Sequence, residues 1–568
     1  MSIGSTKSRG RKKKHRTASV ARAPKSTTRR VAPTVEAREL SERAWFIAAI
    51  SIMFVAAFLR LYHLELVPLH HDEGVNGNFL VRLVREGVYN YDPKNYHGPT
   101  LYYFSAIIPW TMRFLSSVHI LDPSAQNRYG LTTFNIRLVT SLFGVATIWL
   151  VLLLRWRLGS IGSLAAAALL AISPGAVYLS RYFIHESLFV FFTLGLVVAS
   201  LRYWEERQPV YLILAAASAA LLFATKETFI ITAPVLMIAL VSTHLYPWLK
   251  KSRSARKKDP LTERLRQAVD RLGGLPNLAV WSLVAVAVFV AVSVLFYSSF
   301  FKNWPQGVYD SLRTFLVWTK TGQEQHAKDW WTYITKWLPK QESPVFLLGI
   351  IGAAIVVWKP ANAFALFSAL WAFGLIAAYS YVPYKTPWLM LSFIVPLALI
   401  GGYAIEWIYQ ELGDLRLMMT IGVVAVCINL YQSIGLNFFH YDNNDDYYVY
   451  VYVHTQRQTV KLVDEIARIA KGIGKGKESD VGITIVAPEY WPLPWYFRDY
   501  NHVGYHGQMA TSSEPIIIAD AVRQRTEMQE RFGGRYQQVQ SGLNPEGGFD
   551  LRPGVNLLLY VRSDLARR

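Results

Sequence analysis

The strongest constraint on this chain is a succession of apolar runs, each about 20 residues long, the length a helix needs to cross a hydrocarbon core of about 30 Å. Lipid offers no hydrogen-bond partner to an unpaired backbone amide, so each run must be helical. Such runs fall near 44–62, 135–154, 160–180, 184–204, 210–230, 232–249, 277–297, 344–358, 361–380, 387–409 and 417–436, predicting eleven crossings. The segment 99–118 is apolar enough to cross but contains Pro109 and Arg113, so it is expected to lie along or dip into the interface.

Charge orients these spans. Of the chain's 59 Lys and Arg, eleven lie in residues 1–30, which hold no acid. A tail so basic, and rich in Ser, Thr and Pro, cannot bury enough apolar surface to fold. It reads as a cytoplasmic segment that fixes the first span and touches anionic lipid, with no role for nucleic acid. With eleven spans the inner connections are all basic, including the run Lys250 to Lys258; counting 99–118 as a crossing would place that run outside. The first apolar span begins only near Ala44 and is long enough to remain as an anchor, so no cleavable signal peptide is expected. The single cysteine, Cys427, excludes a disulfide or a cysteine-based metal site.

The same topology puts the ionisable residues near span ends on the outer side: Asp72 and Glu73, Arg137, Arg181, His185 and Glu186, Lys226 and Glu227, and Lys385. Charge at a membrane boundary is costly unless paired or hydrated, so this set is the candidate site. Asp72, soon after the first crossing, is the expected general base, with Glu73 beside it. Lys385, Arg137, Arg181 and Lys226 are the cations expected at a phosphate, where they would stabilise charge on a leaving group. Glu186, His185, His97, Tyr96 and Glu227 are expected to orient sugar or acceptor. Asp72, His71 and Glu186 are the ligands a divalent cation (Mg, Mn or Zn) would find, although the adjacent His70 and His71 point differently on any regular element. Walker-type loops, a nucleophile elbow and HExxH are all missing from the sequence, which argues against ATP-driven transport and ordinary hydrolysis.

Beyond the last span the pattern changes. Residues 479–487 and 555–561 read as short buried strands and 460–471 as a helix, predicting a small α/β domain. The aromatic loop Pro488 to Phe497 could stack on a sugar, rest on the membrane interface, or pack into a core. The organisation expected is therefore a basic tail (1–43), a polytopic membrane domain (44–436) and an extracytoplasmic α/β domain (437–568).

The segments His70-His71-Asp72-Glu73-Gly74-Val75-Asn76-Gly77, Tyr96 to Tyr103, Asn135-Ile136-Arg137-Leu138, Ser180 to Glu186, Ala224 to Thr228, Tyr384 to Trp388 and Glu489 to Phe497 together resemble the C-type glycosyltransferase superfamily. The resemblance runs from about residue 44 to the end. It falls in the branch of dolichyl-phosphate-mannose protein mannosyltransferases and bacterial aminoarabinose transferases, nearest a prokaryotic group labelled flippase-activity-associated glycosylation proteins. It implies a mainly α membrane protein that moves a sugar, with inversion, from a polyprenyl-phosphate donor to a protein, lipid or glycan acceptor on the outer face. By the resemblance, Asp72 is the first-loop catalytic acid, Arg137 the second-span arginine and Glu186 the second acidic position. His185-Glu186 departs from the Leu-Asp of many relatives. The rival reading is a non-catalytic protein that handles or helps flip lipid-linked oligosaccharide.

Overall fold

The computed structural model describes residues 40–95, 97–120, 130–321, 327–413, 415–443, 447–474 and 477–565. Among them, eight helices are long and apolar enough to cross a membrane: Glu42–Leu61, Thr133–Leu152, Glu186–Glu206, Phe229–Leu249, Gly274–Tyr297, Ala363–Tyr381, Pro387–Glu411 and Leu415–Phe439. The other three expected spans are helical but different in kind. Pro209–Phe223 and Ser343–Trp358 are shorter apolar helices, and 160–180 is two helices, Ser160–Ala171 and Pro174–Ser180, bent by 59°. The bend follows from Pro174, which cannot donate into the preceding turn, while the Ser173 hydroxyl caps the new helix by accepting from the Ala176 amide at 3.2 Å. Glu342 satisfies the break by accepting from the Ser173 hydroxyl and the Gly175 amide, each at 2.8 Å. Residues 100–117 form one further helix, Thr100–Ser117, with Pro109 inside it; it is not among the eight. The chain is thus a mainly helical, multi-pass membrane protein.

Helices Ser160–Ala171, Ser343–Trp358 and Leu391–Trp407 approach closely through glycine. A Cβ on Gly352 would lie 2.1 Å from the Ile400 carbonyl oxygen, and one on Gly402 2.3 Å from that of Gly162.

After the last long helix comes a six-stranded sheet: β1 (Ile483–Ile485), β2 (Val503–Tyr505), β3 (Ile516–Asp520), β4 (Tyr536–Val539), β5 (Phe549–Arg552) and β6 (Val555–Arg562). The order is β2-β1-β3-β6-β4, with β5 also on β6; β1 runs parallel to β2 and β3, and the pairs to β6 are antiparallel. Alternation divides its central strands between two cores. Ile516, Ile518, Leu557 and Leu559 face Leu462 and Ile466 of helix Gln458–Gly474, while Ile517, Ala519 and Leu558 face Met528 and Phe532. Both faces are covered, which is why these strands read as continuous apolar runs.

The aromatic loop before β2 docks this domain on helix His71–Glu86. Trp495 is 1 % exposed and its indole N–H donates to the Thr133 hydroxyl at 3.3 Å. Gly74 and Gly77 make room for the contact: a Cβ would lie 2.6 Å from Pro492 Cβ at Gly74 and 2.5 Å from Trp495 Cε3 at Gly77. Of the three readings of the loop, packing therefore accounts for Trp495; Trp491 stays half-buried.

Candidate functional site

Helix His71–Glu86 begins with a capping box in which a histidine takes the usual place of Ser or Thr. His70 Nδ1 accepts from the Asp72 amide at 3.1 Å, and Glu73 Oε2 accepts from the His70 amide at 3.0 Å. Glu73 and Arg137 are both fully buried, and they form a two-armed pair with each oxygen 2.7 Å from a guanidinium nitrogen. Glu73 Oε1 also accepts from the Phe183 amide at 2.8 Å. Arg137 spends its remaining donors on the carbonyls of Leu64, Val67 and Pro68. One ion pair thus joins the first loop, the second long helix and the segment after the bent helix. Asn76 adds a second stitch, donating to the Phe183 carbonyl at 3.0 Å and accepting from the Tyr102 hydroxyl at 2.9 Å.

On this frame Asp72 points the other way. Its side chain is 44 % exposed and lies 3.7 Å from His70 Nδ1.

A second cluster forms where the His97 loop meets the segment Ala224 to Thr228. The Gly98 amide donates to the Thr225 carbonyl at 3.0 Å, and a Cβ at Gly98 would strike the Ala224 carbonyl oxygen at 2.0 Å, so glycine is required there. His97 Nδ1 lies 2.9 Å from Glu227 Oε2, His185 Nε2 is 3.0 Å from the Gly98 carbonyl, and the two imidazoles are 4.9 Å apart. Lys226 Nζ donates to Glu186 Oε1 at 2.5 Å, with both side chains buried.

Tyr384 lies within electrostatic reach of both clusters. It is half-buried, and its phenol is pushed up to about 12, first by burial and then, against the pull of Lys226, by the carboxylates of Asp72, Glu227 and Glu186. These four charges therefore act on one hydroxyl.

Other expected residues are used elsewhere. Arg137 was expected at a phosphate, but its donors all face protein. Arg181 turns to the carbonyls of Leu59, Tyr62 and His63 and stacks on Phe438. Lys385 is buried, donating to the carbonyls of Ser380 and Val382 at 3.0 and 2.6 Å, which holds the turn carrying Tyr384. Tyr96 lies outside the described residues. The metal set Asp72, His71 and Glu186 does not assemble: among the described residues no three His, Cys, Asp or Glu side chains are placed to hold a metal ion. Glu186 is held by Lys226, and His71 Nδ1 lies 3.2 Å from Arg552 Nη1.

Comparison with known proteins bears on this arrangement. Residues 128–255 match the model of the dolichyl-phosphate-mannose-protein mannosyltransferase family. ArnT from Cupriavidus metallidurans, in a crystal structure bound to undecaprenyl phosphate, superposes with a TM-score of 0.57 at 13 % identity, covering 92 % of this chain and 99 % of that one. The C-type glycosyltransferase fold is this chain's fold. The archaeal oligosaccharyltransferase AglB from Archaeoglobus fulgidus, in complex with an inhibitory peptide and a dolichol-phosphate, gives a TM-score of 0.51 at 12 % identity over 92 % of this chain and 76 % of that one. No curated protein matches the chain in sequence.

Two groups in this glycosyltransferase fold escaped the sequence reading. Lys328 is exposed, lies over the rings of Tyr452 and Trp337 at 5.6 and 5.9 Å, and is tied to the Tyr384 turn by its amide, which donates to the Pro383 carbonyl at 3.1 Å. Arg552, from β5, reaches His71 across some 480 residues of sequence. Neither has a local signal, because both arrive through long-range contacts.

Proposed function

We propose that the protein transfers a sugar from a polyprenyl-phosphate donor to an acceptor hydroxyl on the outer face of the membrane, with Asp72 as general base. The observation that carries this reading is the opposite fate of two adjacent carboxylates: Glu73 is locked to Arg137, and Asp72 is left open at the head of the helix that the lock fixes. A base must be held in place by groups other than itself, and this frame does so.

In the proposed step Asp72 takes the proton from the acceptor hydroxyl. The oxygen attacks the anomeric carbon from the side opposite the phosphate, the carbon–oxygen bond to phosphate breaks, and polyprenyl phosphate leaves with both electrons. The configuration inverts. Lys226, shared with Glu186, and Lys328 are the cations proposed for the phosphate. Arg137, Glu73 and Lys385 act as positioning residues. His97, His185 and Glu227 form the wall beside Glu186. Support for the donor comes from the fold neighbours, whose structures hold undecaprenyl phosphate and a dolichol-phosphate. Among the described residues no three His, Cys, Asp or Glu side chains gather to hold a metal ion.

The test is transfer from a radiolabelled polyprenyl-phosphate sugar by the purified chain in nanodiscs. Asp72→Asn is expected to slow transfer at least 100-fold while leaving lipid binding intact. Full transfer by that variant would sink the reading and favour the non-catalytic handling protein. Orientation is checked separately with the V522C variant in a Cys427→Ser background, since Val522 is exposed on the sheet domain. Labelling of intact cells by an impermeant maleimide is the expected result.

A further inference from the structure

Docking of the sheet domain is carried by Trp495 and Pro492 against Gly74 and Gly77, with Trp491 touching Gly74 by one ring edge, and the neighbouring aromatics pack on one side while keeping part of their surface open. Trp491, Tyr490 and Tyr505 are all half-buried, with ring centroids 6.0 Å apart from Trp491 to Tyr490 and 5.4 Å from Tyr490 to Tyr505, at interplanar angles of 31° and 37°. The Trp491 ring lies 6.1 Å from that of His71, the residue next to Asp72. On the same side Arg552 pairs with Glu489 and reaches His71 Nδ1 at 3.2 Å. Glu489 keeps 40 % of its side chain open, whereas Arg552 keeps 12 %.

We propose that Trp491, Glu489 and Arg552 form a pyranose-binding subsite beside Asp72, contributed by the C-terminal domain. A pyranose has one face of C–H bonds, which packs on an aromatic ring, and a rim of hydroxyls, which a carboxylate and a guanidinium bind in pairs. The three residues supply these parts beside His71, in the first turn of the helix that carries Asp72. The inference rests on the proposed transfer only for its location. The ring bound there belongs either to the donor sugar or to a glycan acceptor.

The test is saturation-transfer NMR on the full chain in nanodiscs, with methyl glucoside, mannoside, galactoside and N-acetylglucosaminide as probes. At least one probe is expected to give signals from the ring protons of one face. These should fall at least fivefold in Trp491→Ala and in Glu489→Gln, and persist in Trp491→Phe and in the surface control Trp358→Ala. Absence of signal with all four probes, or full signal in Trp491→Ala, overturns the subsite. Displacement by undecaprenyl-phosphate mannose but not by undecaprenyl phosphate assigns the ring to the donor; persistence assigns it to the acceptor, and both accord with the subsite. Asp72→Asn keeps the signal whatever it does to transfer, so failure of the base and failure of the subsite are read separately.

Discussion

Replacing Glu73 by Gln tests the frame with almost no change of shape. Each carboxylate oxygen accepts two hydrogen bonds, one from Arg137 and one from a backbone amide, of Phe183 or of His70. Whichever oxygen becomes NH2 therefore faces two donors, and flipping the amide only exchanges one clash for the other. Two hydrogen bonds are lost at about 1 kcal/mol each, and the fully buried Arg137 loses its counter-charge. Breaking a buried pair by removing one partner costs about 3–5 kcal/mol, roughly two to three and a half orders of magnitude in the unfolding equilibrium. The head of helix His71–Glu86 loses its anchor as well, and a displacement of about 1 Å at Asp72 would slow transfer about 100-fold. Thermal and SDS unfolding in nanodiscs reads the first effect and single-turnover transfer the second. In a double-mutant cycle with Arg137→Gln, coupling of about 2 kcal/mol is expected. An unchanged unfolding midpoint, together with transfer within threefold of the parent, would refute the argument that this pair positions Asp72.

Asp72→Asn should behave in the opposite way, leaving the unfolding midpoint unchanged because its side chain is 44 % exposed, while activity collapses. Gly77→Ala forces a Cβ to within 2.5 Å of Trp495, so a cost of about 1–3 kcal/mol and faster proteolysis between the helical body and the sheet domain are expected. His70 gives a pH signature: burial, outweighing its hydrogen bond to the Tyr452 carbonyl, lowers its pKa from 6.5 to about 4. The folded state thus binds this proton less readily than the unfolded state, so stability from this group is present above pH 6.5 and lost as pH falls toward 4, about 2 kcal/mol by pH 5. His70→Asn, which keeps a capping acceptor but does not titrate, should flatten that part of the stability profile measured by chemical unfolding; an identical profile would count against buried His70 as the titrating group.

Much of this protein was legible in its sequence because lipid imposes one rule on every segment that meets it. All eleven apolar runs are helical for most of their length, the α/β character of the C-terminal region follows from strand-length runs flanked by an amphipathic helix, and two carboxylates near the span ends, Glu73 and Glu186, are paired with Arg137 and Lys226 as their cost near lipid suggests. The role of each charge was not legible. Asp72 and Glu73 are neighbours of the same chemistry, but a helix turns about 100° per residue, so Glu73 faces Arg137 and Asp72 is left part-exposed. Arg137, Arg181 and Lys385 have the composition of phosphate ligands, and packing committed them to buried carboxylates and carbonyls. Arg552 and Lys328 became candidates only through contacts hundreds of residues or a whole loop away. Hydrophobic periodicity is local and survives in a linear string, whereas the satisfaction of a buried charge depends on which partners folding brings within about 3 Å, and only the tertiary structure decides that.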